Sequence, residues 1–341
     1  MKRPLTRLDE LASAGLISPE ALPALAPVAA RYAVAITPTM AARIEAPDDP
    51  IARQFIPSAA ELKTRPEERA DPIGDHAHSP VKGLVHRYPD RVLVKLTHTC
   101  PVYCRFCFRR EMVGPAGDGN LTDAELDAAF AYIAAHPGIF EVIFTGGDPL
   151  MLSVRRITAL GRRLADIPHV RAVRWHSRVP VVAPERITPD LVRALRFPGK
   201  ANYVAIHANH TREFSSEAIT ALTRLADHGV ALLGQTVLLR GVNDSPEALA
   251  DLFREMAAHR ITPLYLHHPD LAPGTGHFRL SIAEGQALYA ALRGRLSGHA
   301  IPAYVLDLPG GHGKVPIGSS YLDADGGRIM DPSGHWHDYA G

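Results

Sequence analysis

The sequence predicts an α/β fold, a partial (β/α) TIM-type barrel with an N-terminal helical extension, on three observations. From Arg91 onward, short β-branched runs alternate with amphipathic stretches about six times, and strand-then-helix repetition calls for a parallel sheet with helices outside. The unusual residue groups fall just after the strand runs, where such barrels keep their reactive groups. The first ninety residues lack the alternation altogether. Spacing alone does not decide between a barrel and a flat doubly wound sheet, but the number of repeats suits a complete or partial barrel better.

Taken in order, residues 1–90 form the expected wrapping segment, 91–315 the barrel and 316–341 a short tail. Helical patterns cover residues 5–14 and 19–32. A proline- and charge-rich stretch then runs from Pro47-Asp48-Asp49-Pro50-Ile51 through Pro57 and Pro66 to Asp71-Pro72-Ile73-Gly74-Asp75. Proline at that density removes backbone donors and predicts an extended segment. Within the barrel, strands are expected at 92–96, 142–144, 170–175, 203–206, 230–239, 264–266 and 303–306. Helices are expected near 122–135, 154–165, 189–195, 215–228, 246–259 and 282–296.

Composition narrows the function classes. Hydrophobic residues at 46% and charged residues at 21% give an ordinary globular balance with a large core. A formal net charge of +1 offers no electrostatic case for nucleic acid or an acidic membrane surface. No apolar run reaches the roughly 18–20 residues that span a bilayer. The start, Met1-Lys2-Arg3-Pro4-Leu5, lacks the apolar core of a signal peptide. The expected location is the cytoplasm, where thiols stay reduced. All three cysteines fall between Cys100 and Cys107, a poor disulfide framework and a good metal site.

Cys100, Cys104 and Cys107 follow the first barrel strand with C-x3-C-x2-C spacing. Three thiolates so placed can hold three irons of a [4Fe–4S] cluster and leave the fourth open to a ligand. Zinc, with His98 as a fourth donor, and three metal-free cysteines are the competing readings. The next strand ends in Thr145-Gly146-Gly147-Asp148-Pro149. This order resembles the radical S-adenosylmethionine (SAM) superfamily. The resemblance implies that Cys100, Cys104 and Cys107 ligate the cluster, and that Gly146, Gly147 and Asp148 form the turn meeting the SAM amino group.

A wider set of segments resembles the lysine 2,3-aminomutase family. They include Ser79-Pro80-Val81-Lys82-Gly83-Leu84-Val85-His86-Arg87-Tyr88-Pro89-Asp90-Arg91, Cys107-Phe108-Arg109-Arg110 and Gln235-Thr236-Val237-Leu238-Leu239-Arg240-Gly241-Val242-Asn243-Asp244. Ile167-Pro168-His169-Val170, Ser177-Arg178, Gly276-His277-Phe278-Arg279 and the loop Pro309-Gly310-Gly311-His312-Gly313-Lys314 complete it. Leu308 and Val315 exclude a phosphate-binding loop there. The resemblance implies a Schiff base between Lys314 and pyridoxal 5′-phosphate (PLP), with Arg87, Tyr88 and Arg91 around that cofactor. His207 and Gln235 would line the shared cavity, Arg109 would bind the substrate carboxylate, and Asp270 and Asp307 would hold a distal ammonium.

The implied activity is radical conversion of L-lysine to β-lysine, with an electron donor such as flavodoxin or ferredoxin as partner. Homo-oligomers are compatible with this reading. The same chemistry on glutamate or a modified lysine, and a non-catalytic metal-binding module, are the alternatives. Two departures from the better-known members stand out. Ser245 follows Asn243-Asp244, so their intersubunit zinc site is expected to be absent, and His267 replaces an expected tyrosine. Length and His267 resemble the shorter bacterial mutases that supply β-lysine for modifying elongation factor P.

Overall fold

Each helix of the outer layer begins with a Ser or Thr whose side-chain oxygen accepts the backbone N–H three residues on. Thr122, Ser153, Thr188, Ser215, Ser245 and Ser281 do this for the helices Asp123–Ala135, Val154–Ala165, Pro189–Leu195, Ser216–Asp227, Pro246–Ala258 and Ile282–Ala290. Such caps satisfy donors that the first turn leaves unpaired, each for about 1 kcal/mol. The computed structural model describes residues 3–114, 119–318, 320–323 and 325–339.

Among the described residues, one sheet carries nine strands in chain order: β1 (Leu84–Tyr88), β2 (Arg91–Thr97), β3 (Glu141–Gly146), β4 (Ala172–Ser177), β5 (Ala201–His207), β6 (Ala231–Val237), β7 (Ile261–His267), β8 (Ala303–Leu308) and β9 (Gly313–Pro316). Strands β2 to β8 are parallel, while β1 and β9 run antiparallel to their neighbours at the two edges. The sheet curls into a barrel that stays open between β1 and β9, the fold class expected from the sequence. A small hairpin, β10 (Arg328–Met330) with β11 (Trp336–Asp338), lies in the tail.

The core fills the layer between sheet and helices. Val92, Val94, Leu96, Val142, Phe144 and Trp175 are all buried, and the Phe144 and Trp175 rings sit 4.5 Å apart. No helix among the described residues is long and apolar enough to cross a membrane.

Three differences from the sequence reading have physical causes. The last helix was expected to reach 296, but it ends at Ala290. Gly294, with φ of +78°, turns the chain into conformations a helix cannot hold. The sheet starts at Leu84, inside the expected wrapping segment, because β1 folds back on β2 through Pro89 and Asp90. The proline-rich stretch is less extended than expected. It forms short turns, Ala52–Phe55 and Ala59–Leu62, that bury Ile51, Ala52 and Phe55 in the core. Glu61 in the second of these turns is fully buried and pairs with Arg105 and Arg110, joining the wrap to the cysteine loop.

Candidate active site

The C-terminal ends of the parallel strands surround a cavity of about 540 Å³. Every residue singled out above for a cluster, cofactor or substrate role lines it: Cys100, Cys104, Cys107, Gly146, Gly147 and Asp148 on one side, and Arg87, Tyr88, Arg91, Arg109, His207, Gln235, Asp270, Asp307 and Lys314 around the rest. His98, the candidate fourth zinc ligand, lines a separate recess instead.

The loop after β2 brings the three thiols to one wall, and all are free of disulfides. Among the described residues, no three His, Cys, Asp or Glu side chains are grouped around a single ion. Burial, and then the charge of Asp148, pushes the Cys100 thiol well up; burial and Cys104 push Cys107 to about 11. Thiolates there need strong positive partners, which iron supplies. Three thiols on one wall of a cavity of this size fit three irons of a cluster.

The turn after β3 is pinned against the same loop. Gly147 N–H donates to Thr97 O at 2.5 Å and Asp148 N–H to Thr99 O at 2.9 Å. A Cβ on Gly147 would lie 2.5 Å from Thr99 O, so only glycine permits this approach. The Asp148 carboxylate accepts from Ser177 Oγ at 2.7 Å, Leu150 N at 3.0 Å, Arg178 N at 2.7 Å and Val179 N at 3.1 Å. Both its oxygens are thus engaged within the fold. Asp148 therefore shapes the turn from within the fold.

Between the walls, Gln235 Nε2 lies 3.4 Å from His176 Nε2. The His207 ring stands edge-on to Phe106 at 5.7 Å, and its Nε2 is buried without a partner. Burial, followed by nearby arginines, holds His176 and His207 well below the usual imidazole range, so both are neutral at pH 7. The Nε atoms of Arg87 and Arg109 are likewise buried and unpartnered. Such donors suit phosphate and carboxylate oxygens.

The far wall is built by β1, β7, β8 and β9. Lys314 lies on β9, opposite Asp307 of β8 in the antiparallel ladder, and its Nζ makes a close ion pair with Asp307. His267 Nδ1 is 3.4 Å from the same Nζ and 3.8 Å from Asp307 Oδ2. The Tyr265 ring centroid lies 5.3 Å from Nζ. Tyr88 Oη accepts the Lys314 backbone N–H at 2.7 Å. Arg91 stacks on the Tyr88 ring at 3.8 Å and pairs with Asp90 at 2.6 Å. A lysine amine, a phenol and two arginines on one wall are groups that fit PLP.

The two acids expected to hold an ammonium differ in state. Burial works against the charge on Asp307, yet the adjacent His267 ring and the Lys314 ammonium keep its carboxyl well below the usual range. Asp270 is pushed up to about 7, by burial first and then by the charge of Asp307. Arg109 is held by Asp75, whose carboxylate lies 3.1 Å from Arg109 Nη2, 3.1 Å from Arg87 Nη2 and 3.8 Å from Lys95 Nζ.

Asp75 is fully buried, and the sequence reading gave it no role. Arg178 stands in a segment that carries the resemblance but received no role, and His176 was missed. His176 had a usable signal, since it sits near the C-terminal end of a barrel strand, as His207 and Gln235 do. Asp75 had none, because its partners come from three separate elements.

Comparison with known proteins places the chain in a family. The family model described as the Radical SAM superfamily matches residues 94–253, and that described as Lysine-2,3-aminomutase matches residues 289–328. L-lysine 2,3-aminomutase of Acetoanaerobium sticklandii is 40% identical over 85% of this chain and 70% of its own. The enzyme of that name from Methanococcus maripaludis is 39% identical over 85% of this chain and 67% of its own. The one from Escherichia coli is 37% identical over 80% and 78% respectively. A [4Fe–4S] cluster and SAM come with the superfamily. The protein is an enzyme, an isomerase of the aminomutase kind: the chain belongs to the lysine 2,3-aminomutase family of the radical SAM superfamily.

Proposed function

We propose that the chain converts L-lysine to β-lysine by moving the amino group from C2 to C3, with PLP carried on Lys314 and the cluster on Cys100, Cys104 and Cys107. The observation that carries this reading is the corner formed by Lys314, Asp307 and Asp270. There a primary ammonium already sits against one carboxylate, with the second acid lining the same cavity. When bound, the cluster and SAM supply a carbon radical that abstracts hydrogen, and PLP supplies a conjugated carbonyl that takes up the migrating nitrogen.

The protein's own groups do the positioning. Lys314 must lose a proton before its nitrogen can attack a carbonyl. Burial and the nearby Lys314 charge lower the pKa of His267, so its ring is neutral and Nδ1 can accept that proton across 3.4 Å. With Lys314 engaged, its charge no longer balances Asp307, and two carboxylates compete for one cation. A substrate ε-ammonium restores the balance, whereas a side-chain carboxylate adds to the repulsion. Arg109 keeps guanidinium donors beyond the one given to Asp75, and these suit the substrate carboxylate in bidentate geometry. Phe106, Val237 and Val305 wall the cavity with apolar surface that limits water around a radical.

An anaerobic assay of the full chain, reconstituted with iron and sulfide and supplied with lysine, SAM, PLP and dithionite, tests the proposal. β-Lysine formation that depends on all four additions is the expected result. Turnover of glutamate in preference to lysine would overturn the substrate assignment, and full activity without PLP would overturn the role given to Lys314.

A further inference from the structure

Arg178 follows the last residue of β4, and its side chain runs back beneath the cysteine loop. Its Nη1 donates to Cys104 Sγ at 2.8 Å. Its Nη2 donates to Gln54 Oε1 at 2.5 Å and to Glu213 Oε2 at 2.8 Å. The guanidinium carbon lies 4.7 Å from the Phe55 ring centroid and 5.5 Å from that of Phe106. The whole residue is 5% exposed.

The setting fixes the fork before any ligand arrives. Glu213 is itself locked, since its other oxygen accepts Asn209 N–H at 2.8 Å and His210 N–H at 3.1 Å. Gln54 is held by Pro50 O at 3.0 Å and Asn209 Nδ2 at 3.0 Å. The backbone N–H of Arg178 donates to Asp148, the residue that shapes the glycine turn. One residue therefore joins the SAM turn to a cluster sulfur. Cys100 and Cys107 are met differently, by the backbone N–H groups of Asp148 and Arg109.

A buried cation aimed at one sulfur has a definite electronic consequence. Taking up one electron adds a negative charge that the ligand sulfurs share. A charged N–H at hydrogen-bond distance therefore stabilises the reduced cluster more than the oxidised one, and such bonds are among the determinants of cluster potential. Glu213 offsets the formal charge of Arg178. However, it lies on the Nη2 side, so the positive end of the pair points at Cys104. We propose that Arg178 is a positioning residue that raises the reduction potential of the cluster through its hydrogen bond to Cys104 Sγ. A low-potential one-electron donor then has a smaller gap to cross. This holds whichever amino acid the cavity takes.

The test uses the anaerobically reconstituted full chain, with the cluster titrated against a potential scale and followed by electron paramagnetic resonance. Arg178→Met should lower the midpoint potential, and Arg178→Lys should lower it less, both at unchanged iron content. A purely structural role would reduce iron loading without moving the midpoint of the clusters that remain. An unshifted midpoint in loaded Arg178→Met overturns the proposal. Should that variant not fold, wild-type protein made with guanidino-¹⁵N arginine decides. Its reduced cluster should show a weak ¹⁵N coupling in pulsed resonance that Arg178→Lys loses, and a wild-type spectrum without that coupling overturns the proposal equally.

Discussion

Replacing Asp307 by Asn removes one of two facing acids and leaves the other to respond. In the wild type, Asp270 is pushed up to about 7 because burial, and then the charge of Asp307, disfavour its ionised form. Only ionised Asp270 can pair with an ammonium, so lysine kcat/KM should rise with pH through about 7. In Asp307→Asn the second of those causes is gone, and Lys314 loses the carboxylate it pairs with. Both changes favour ionised Asp270, and the acidic limb should move to lower pH. At pH 8 the variant lacks one charge-assisted hydrogen bond to the ε-ammonium, worth about 1.5–3 kcal/mol, which corresponds to roughly a 10- to 150-fold drop in kcat/KM. At pH 6 only about a tenth of wild-type Asp270 is ionised, so the gap should narrow by up to about tenfold. The assay is anaerobic conversion of lysine at both pH values, with iron and PLP contents matched. An equal loss at pH 6 and pH 8, or unaltered lysine kinetics, would refute the paired-acid reasoning.

Other expectations concern loading and stability. Ala in place of Cys100, Cys104 or Cys107 should each abolish SAM cleavage, and anaerobic wild type should carry about four irons per chain, measured by iron and sulfide analysis. Borohydride reduction with PLP should label the peptide containing Lys314; label on Lys82, Lys95 or Lys200 would show the loop to be misread. Glu61→Gln strands the buried cations Arg105 and Arg110. It should destabilise the fold by about 3–5 kcal/mol in urea denaturation.

What the sequence made legible was whatever is written locally. The β-branched runs located all seven parallel strands. The cysteine spacing and the two glycine-rich loops were equally local. Strand β9 was not, since Gly313-Lys314-Val315-Pro316 has no run of strand formers and exists only because β8 offers it a ladder. Strand β1 mixes His86 and Arg87 into its pattern and was absorbed into the wrapping segment. Within the site, Asp75 and Arg178 act through partners far away in the chain. Their identities are plain in the sequence, but their assignments come only from the folded contacts.

The seam between β1 and β9 bears on how the two walls of the cavity are kept in register. Tyr88, near the start of the barrel, receives the N–H of Lys314 near its end, two positions 226 residues apart. His78 Nε2 lies 3.0 Å from Gly311 O and ties the same two regions a second time. The thiol wall draws on the loop after β2 and, through Arg178, on Gln54 of the wrapping segment and on Glu213 after β5. The amine on β9 reaches its place only when the last strand meets the first. The thiol wall and the amine on β9 are thus set against one another across a seam held by these two contacts.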